Sequence, residues 1–469
     1  MKLRLISSLP EYIREAEEIV RAFSPYVVVS DDAVDYLELS AEKNDCVFHG
    51  KISSSFQPPV EVDYEEEDCL LFKKLSKRAY KNALYRYMVS FTGLSLPYGS
   101  LTGVRPTKLL YEAEKSGRDS SFLTEEFFVS EEKASLIKSV VDNQRGIYSD
   151  ADDIADVYVN IPFCPTRCNY CSFISSEYKR IEKRISEYRD AVVQEIRSLR
   201  SIISAHSYNI RSVYVGGGTP SVLPPDILDV ILAELRGLAT EFTVECGRPD
   251  TITEALADVL VRNGVTRCSV NPQSFFDETL IKIGRKHTID DFYKAYDILK
   301  SRGLSVNIDL IAGLTDETPD MFRYSLDSAI ALAPDNITVH SLSLKRGSRI
   351  TEEGQEKARF GAVSDMLSYA HDVLPRHGYA PYYMYRQKNS ADNLENTGYA
   401  LPGKQCIYNI DIMEEIAHVL SAGAGGMSKR LERSSGKILR YSTPKGFEEY
   451  LARIEEIIGK KEEFFNGKQ

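Results

Sequence analysis

Between Val157 and His340 six short apolar runs alternate with amphipathic helical stretches, and this alternation constrains the fold more than any other feature. The runs are Val157–Ile161, Ser212–Val215, Phe242–Glu245, Arg267–Val270, Ser305–Ile311 and Asn336–His340. The helical stretches are Tyr188–Ser201, Pro225–Leu235, Ile252–Arg262, Ile289–Lys300 and Pro319–Leu332. Strands separated by helices pair in parallel through right-handed crossovers. The expected fold class is therefore α/β, a parallel sheet either open or curled into a partial (β/α)6 TIM-like barrel. Such barrels carry their chemistry on loops at the C-terminal ends of the strands. The unusual residues of this chain should collect there.

The flanks read differently. Residues 1–150 contain three strand-like runs, Pro25–Ser30, Asp35–Leu39 and Asp45–Phe48. An acidic run, Glu65–Asp68, then opens a long helix with Leu75, Ala79, Leu84, Met88 and Phe91 on one face and Gly93 at its end. Leu101–Lys108 reads as a Gly/Pro turn between helices. The expected division is an N-terminal α+β accessory domain over 1–150, the barrel over 151–385, and a mostly helical C-terminal domain covering the barrel mouth over 386–469. A formal charge of −11 argues against a nucleic-acid or membrane-surface binder. No apolar run reaches the roughly 18 residues of a membrane span. The start is basic but meets Glu11 and Glu15 too soon for a signal peptide. A soluble cytoplasmic protein with no nucleic-acid partner and no membrane span is expected.

In a cytoplasmic chain, clustered cysteines indicate metal binding or catalysis before disulfides. Cys164, Cys168 and Cys171 fall on the loop after the first run, spaced C-x3-C-x2-C. Three thiolates on so short a loop can wrap an iron–sulfur cluster and leave one iron open. Structural zinc needs a fourth donor, and the next Cys or His after Cys171 is the distant His206. Buried reduced thiols are a third reading. The second run ends in Gly216-Gly217-Gly218-Thr219-Pro220, where glycines let backbone approach a ligand and free its amides to donate. Glu245, Gln273 and Asp309 stand at or beyond later strand ends, with Arg285 after the fourth. A strand-end carboxylate suits ribose hydroxyls or an ammonium group, and an arginine suits a carboxylate.

The succession C-x3-C-x2-C then Gly-Gly-Gly-Thr-Pro resembles the radical S-adenosylmethionine superfamily. Further stretches are similar to its oxygen-independent coproporphyrinogen III dehydrogenase (oxidase)-like family and the HemZ-type branch: Glu245–Asp250, Ser269–Gln273, Ile283–Thr288, Asn307–Leu314, His340–Ser348 and Tyr382–Tyr399. The resemblance spans about residues 155 to 430 and implies a radical SAM partial barrel. It implies that Cys164, Cys168 and Cys171 hold a [4Fe–4S] cluster whose open iron is chelated by S-adenosyl-L-methionine. Gly217, Gly218 and Thr219 would contact the methionine moiety. Tyr158, Tyr170, Glu245, Gln273, Arg285 and Asp309 match positions lining that cofactor, and Ser343 matches another.

The implied reaction is oxidative decarboxylation of two coproporphyrinogen III propionates to vinyls, giving protoporphyrinogen IX through a 5′-deoxyadenosyl radical. The implied partners are a tetrapyrrole substrate and an electron donor such as flavodoxin or ferredoxin. Arg248 and Tyr158 are the catalytic candidates, and Arg248, Lys345, Arg346, Arg349 and Arg386 are cations for the propionates. Tyr382, Tyr383, Tyr385 and Tyr399 suit the wall of a flat ligand, and the Ser421–Ser428 glycine loop could approach it. Two positions depart from the family pattern. Asn160 replaces a usual His, and Phe173 replaces a further Cys of the coproporphyrinogen enzymes, as it does in heme-chaperone relatives. The alternatives are a heme-binding or heme-delivery paralogue, another tetrapyrrole-acting radical SAM enzyme, and a zinc-stabilised barrel.

Overall fold

The computed structural model describes residues 1–8, 10–24, 26–44, 46–66, 68–171, 176–343, 361–387 and 393–467. Phe173, Lys345, Arg346 and Arg349 lie outside the described residues. The chain divides into two compact units, Met1–Val141 with a short stretch ending at Leu394, and Asp142–Gln469 without that stretch.

Six parallel strands, β1 (Ile154–Ile161), β2 (Asn209–Gly217), β3 (Glu241–Glu245), β4 (Arg267–Ser269), β5 (Ser305–Ala312) and β6 (Asn336–Ser341), lie side by side in sequence order. Between them run α1 (Ile185–His206), α2 (Pro225–Ala233), α3 (Glu254–Arg262), α4 (Ile289–Ser301) and α5 (Pro319–Ala331). Local chemistry sets the helix starts. Thr253 and Thr318 accept from backbone N–H groups at their helix N-termini, and Thr288 and Asp291 form a reciprocal capping pair. Along each strand the residues alternate. Val157, Val159 and Ile161 are fully buried against the helical layer, while Tyr158 and Asn160 point to the opposite face.

The sheet does not end with these six strands. β7 (Ala380–Arg386) and β8 (Glu395–Ala400) follow β6 in antiparallel fashion. On the other edge β9 (His418–Ala422) pairs in parallel with β1. It is followed by the antiparallel β10 (Met427–Glu432) and β11 (Lys437–Ser442), which makes eleven strands in one sheet. The C-terminal stretch thus carries helices, α6 (Ile407–Glu414) among them, together with strands that continue the barrel sheet, and it belongs to the barrel's compact unit. Buried Glu195 on α1 accepts from Gly423 N at 2.8 Å and Tyr450 Oη at 2.6 Å and pairs with Lys461, fixing the loop after β9.

The N-terminal unit is a five-stranded sheet, ordered Val28–Val29, Lys2–Ser7, Tyr36–Asn44, Val47–Ser54 and Val60–Glu65. Helices Pro10–Ala22 and Cys69–Thr92 cover it through a core that includes Tyr12, Phe48 and Tyr80. Strands Lys2–Ser7 and Val60–Glu65 have no counterpart among the three strand-like runs of the sequence, and Cys46 in this unit is disulfide-bonded. Among the described residues no helix is long and apolar enough to cross a membrane.

Candidate active site

A cavity of about 390 Å³ opens at the C-terminal ends of the parallel strands. Cys164, Cys168, Cys171, Tyr170, Gly217, Gly218, Thr219, Glu245, Arg248, Gln273, Arg285, Asp309 and Ser343 all line it.

The cysteine loop is clamped from below. Cys164 ends a two-residue strand, Phe163–Cys164, paired with Ser176–Glu177. Asn169 N donates to Ile283 O at 2.9 Å and its side chain to Lys282 O at 2.9 Å. Arg248, buried, binds Asp250 through two 2.9 Å hydrogen bonds and donates to Thr166 O at 3.2 Å and Thr166 Oγ1 at 3.1 Å. Its Nη1 lies 4.0 Å from Cys168 Sγ. That geometry gives Arg248 a bracing role at the cysteine loop, with its side chain also among those that line the cavity. Arg285 is also committed, donating to Gly247 O at 3.1 Å, Asn271 O at 2.6 Å and Tyr170 Oη at 3.1 Å.

The glycine loop packs rather than donates. Gly217 N is bound to Glu245 Oε2 at 3.1 Å, Gly218 N to Ile161 O at 2.9 Å and Thr219 N to Phe163 O at 2.7 Å. The expectation of freed amides is therefore corrected. Gly217 sits at φ +110°, and a Cβ there would lie 2.1 Å from Asn160 Oδ1. Glycine is required for this close approach to β1. Thr219 Oγ1 reaches Cys164 Sγ at 3.4 Å, tying the glycine and cysteine loops together.

Polar strand ends complete the wall. Asp309 accepts from Asn271 Nδ2 at 2.8 Å and Asn307 Nδ2 at 2.7 Å, with His340 Nε2 at 3.7 Å. Gln273 is held at φ +68°, a strained backbone for a non-glycine residue and a common mark of functional sites. Its buried Oε1, Arg285 Nε and Ser269 Oγ have no partner among the described residues. Polar atoms buried in this way are rare unless a ligand completes them.

Tyr158 does not line this cavity. It lines a second one of about 480 Å³ with Asn160, Tyr408, Met427, Lys429 and Lys445, and the two cavities share Gly217 and Glu245. The partition is a stack of rings in which Tyr408 on α6 lies 4.3 Å from Tyr214 and 5.8 Å from Tyr158. Glu245 stands in that wall and accepts from Tyr214 Oη at 2.6 Å. Burial pushes its carboxyl up to about 7. The folded state therefore holds a proton that the unfolded chain loses above about pH 4.5, and stability falls as pH rises to about 7. The difference in unfolding free energy between wild type and Glu245→Gln should change by about 3 kcal/mol over that window. Parallel denaturation curves for the two proteins would place the acid elsewhere.

Tyr383 and Tyr385 line the first cavity, whereas Tyr382 accepts from Asn409 at 3.2 Å and Tyr399 bonds His371. Arg386 is outside the described cavity lining. The Ser421–Ser428 loop packs on Asn160, where a Cβ on Gly423 would meet the Asn160 carbonyl at 2.2 Å. Sequence reasoning missed Asn271, Asn307, Thr338 and His340 as lining residues. Their signal is the period-2 alternation with Gln273 and Asp309, which puts them on the same face.

The donor set fits a cluster better than zinc. All three cysteines are free thiols at the cavity, with the Arg248 guanidinium 4.0 Å from Cys168 Sγ. The cysteine loop supplies three thiols, Cys164, Cys168 and Cys171, and no fourth. A zinc site would require four.

Residues 158–329 match the family model of the Radical SAM superfamily. The chain is 37% identical over 413 residues to the oxygen-independent coproporphyrinogen-III oxidase-like protein HemZ of Bacillus subtilis, covering 85% of this chain and 82% of that protein. This chain belongs to the HemZ-type branch of the radical SAM superfamily. It is also 28% identical to the heme chaperone HemW of Escherichia coli over 62% of its length and 75% of that protein. Coproporphyrinogen III oxidase (HemN) from Escherichia coli shares the fold, with a TM-score of 0.52 at 20% identity over 67% of this chain and 72% of that one. The cofactors of this radical SAM protein are a [4Fe–4S] cluster and S-adenosylmethionine.

Proposed function

We propose that the protein catalyses oxygen-independent oxidative decarboxylation of coproporphyrinogen III propionates to vinyl groups, giving protoporphyrinogen IX. The observation that carries this reading is the match to the HemZ protein along most of both chains. When bound, the cluster and S-adenosylmethionine would supply the radical chemistry that removes a propionate β-hydrogen. The chain's own residues bind and orient. Cys164, Cys168 and Cys171 hold the cluster, with Arg248 bracing their loop from beneath. Asp309, presented by Asn271 and Asn307, and the unpartnered Gln273 Oε1 and Arg285 Nε offer the cofactor's polar groups fixed hydrogen bonds. Tyr383 and Tyr385 form an aromatic wall against which a flat ring can lie, screening the site from water. Delivery of one electron to the cluster requires a donor protein.

A second reading, heme binding and delivery without turnover, is favoured by the similarity to HemW chaperones and by Phe173 where the coproporphyrinogen enzymes carry a cysteine. Anaerobic incubation of reduced, reconstituted protein with coproporphyrinogen III separates the two. The decarboxylase reading expects a vinyl-bearing product formed in step with 5′-deoxyadenosine. Cofactor cleavage with no decarboxylated product, together with tight heme binding, would establish the carrier.

A further inference from the structure

The loop after β3 places a charge where a neutral brace would serve. Gly247-Arg248-Pro249-Asp250 follows the strand almost directly. Pro249 opens a 3-10 turn, Pro249–Thr251, and the residue before a proline is driven to extended backbone, which Arg248 adopts at φ −118° and ψ 106°. Thr251 closes the turn, its N and Oγ1 donating to Arg248 O at 3.0 and 2.7 Å. The turn brings Asp250 back to the guanidinium, where both carboxylate oxygens accept at 2.9 Å. Backbone and tip are both fixed, so the charge has one orientation.

That orientation matters. Asp250 takes the Nε and Nη2 edge of the guanidinium. Nη1 is left facing the cysteine loop, with Thr166 O at 3.2 Å, Thr166 Oγ1 at 3.1 Å and Cys168 Sγ at 4.0 Å. The ion pair is a dipole whose positive end lies against a thiol of the cluster loop. Arg285 also acts on Cys168 through its charge, while donating to three neutral groups, Gly247 O, Asn271 O and Tyr170 Oη. The carboxylates on this side are Asp250, on the far edge of Arg248, and Asp291, which accepts from Thr288 N at 2.9 Å at the start of α4. His287 lies among these groups and is neutral, because burial and Arg285 push it down to about 3. Coulomb energy falls with distance, so the cation in contact with Cys168 sets the sign of the field there.

Bracing alone does not account for this arrangement. A neutral amide could hold Thr166, whereas a buried guanidinium carries a desolvation cost even when paired. Arg248 is only 3% exposed. Its charge has a use in the charge state of what the neighbouring sulfur binds.

We propose that Arg248 raises the reduction potential of the [4Fe–4S] cluster by fixing a positive charge against its Cys168 ligand, with Asp250 as the positioning residue that aims the guanidinium. On reduction a low-potential one-electron donor loses one electron, the cluster passes from its 2+ to its 1+ state, and no bond is made or broken. The added negative charge is shared with the ligand sulfurs, so a cation and an N–H beside one of them favour the reduced form. The inference needs the cluster but not the identity of the tetrapyrrole.

The test is an anaerobic redox titration of reconstituted full-length protein, with dithionite and mediators, followed by EPR of the reduced cluster in the absence of S-adenosylmethionine. Iron and sulfide are assayed in every sample. Arg248→Gln should make the reduced state about tenfold less favourable, a shift of about 59 mV to more negative potential for a one-electron couple. Arg248→Lys keeps a charge without the fork and should recover most of that shift. Asp250→Asn keeps an acceptor for the fork and removes the counter-charge, so its equilibrium should move the other way, by about threefold. A loop merely loosened would shift the Gln and Asn variants in the same direction, and that result overturns the proposal. So does an Arg248→Gln cluster at the wild-type potential, or an Arg248→Lys cluster no different from the Gln variant. If Arg248→Gln binds no iron, Asp250→Asn decides, a higher potential supporting the proposal and an unchanged or lower one overturning it. No tetrapyrrole enters the titration, so the proposal and the decarboxylase reading fail separately.

Discussion

Cys168→Ala is expected to leave the reconstituted protein with little bound iron and no cluster absorbance or EPR signal, and Cys164→Ala and Cys171→Ala should do the same. The loop offers three thiols and no fourth, so removing one leaves two irons of the cluster short of protein ligands. Cys246→Ala and Cys406→Ala should retain full iron. Burial pushes the Cys246 thiol up to about 12 and that of Cys406 higher still, so both remain protonated and unable to ligate. Iron and sulfide analysis decides the matter. A Cys168→Ala protein with its full complement of iron would remove the cysteine loop from the cluster site.

The second large effect concerns the cofactor. Asp309 is held in place by two asparagine side chains and by its position on β5, independently of the cysteine loop. Asp309→Ala should weaken S-adenosylmethionine binding by about 1.5–3 kcal/mol, the range for a hydrogen bond to a charged group. That corresponds to about ten- to 150-fold in Kd. Iron content should not change, because no donor to the cluster is altered. Isothermal titration under anaerobic conditions measures it, and wild-type affinity in the variant would place the cofactor away from β5.

The alternating runs were legible because each barrel strand signals itself locally. All six observed strands begin and end within a few residues of the apolar runs, and all five helices overlap their amphipathic stretches. The loops that the runs deliver to one end of the sheet bring the cysteines, the glycines and the strand-end polar residues to one cavity. What sequence could not supply was set by partners distant along the chain. The pairing of β9 with β1 has no local signature, and neither does the packing of Tyr408 against both Tyr158 and Tyr214. Tyr158 therefore reads as one more cofactor-lining residue, when its ring closes the far side of the wall. Arg248 shows the same dependence on distant partners. A charge after a strand suggests a ligand, and only the fold reveals that Asp250 and Thr166 take most of its donors.

The seam between β1 and β9 has a consequence for how the protein matures in the cell. Asn160, at the end of β1, waits for Ala424, 264 residues further along the chain, to accept its side-chain hydrogen bond. At ribosomal speeds of about 5–20 residues per second, that interval lasts between about 13 and 50 s. Throughout it the cysteine loop has left the ribosome while the edge strand it extends from lies uncovered. Iron offered during this time meets thiols on an unfinished scaffold, open to oxidation. Nascent-chain translation with and without iron should therefore show stable cluster content only once β9 has been made, and full loading on a chain stopped before β9 would contradict this.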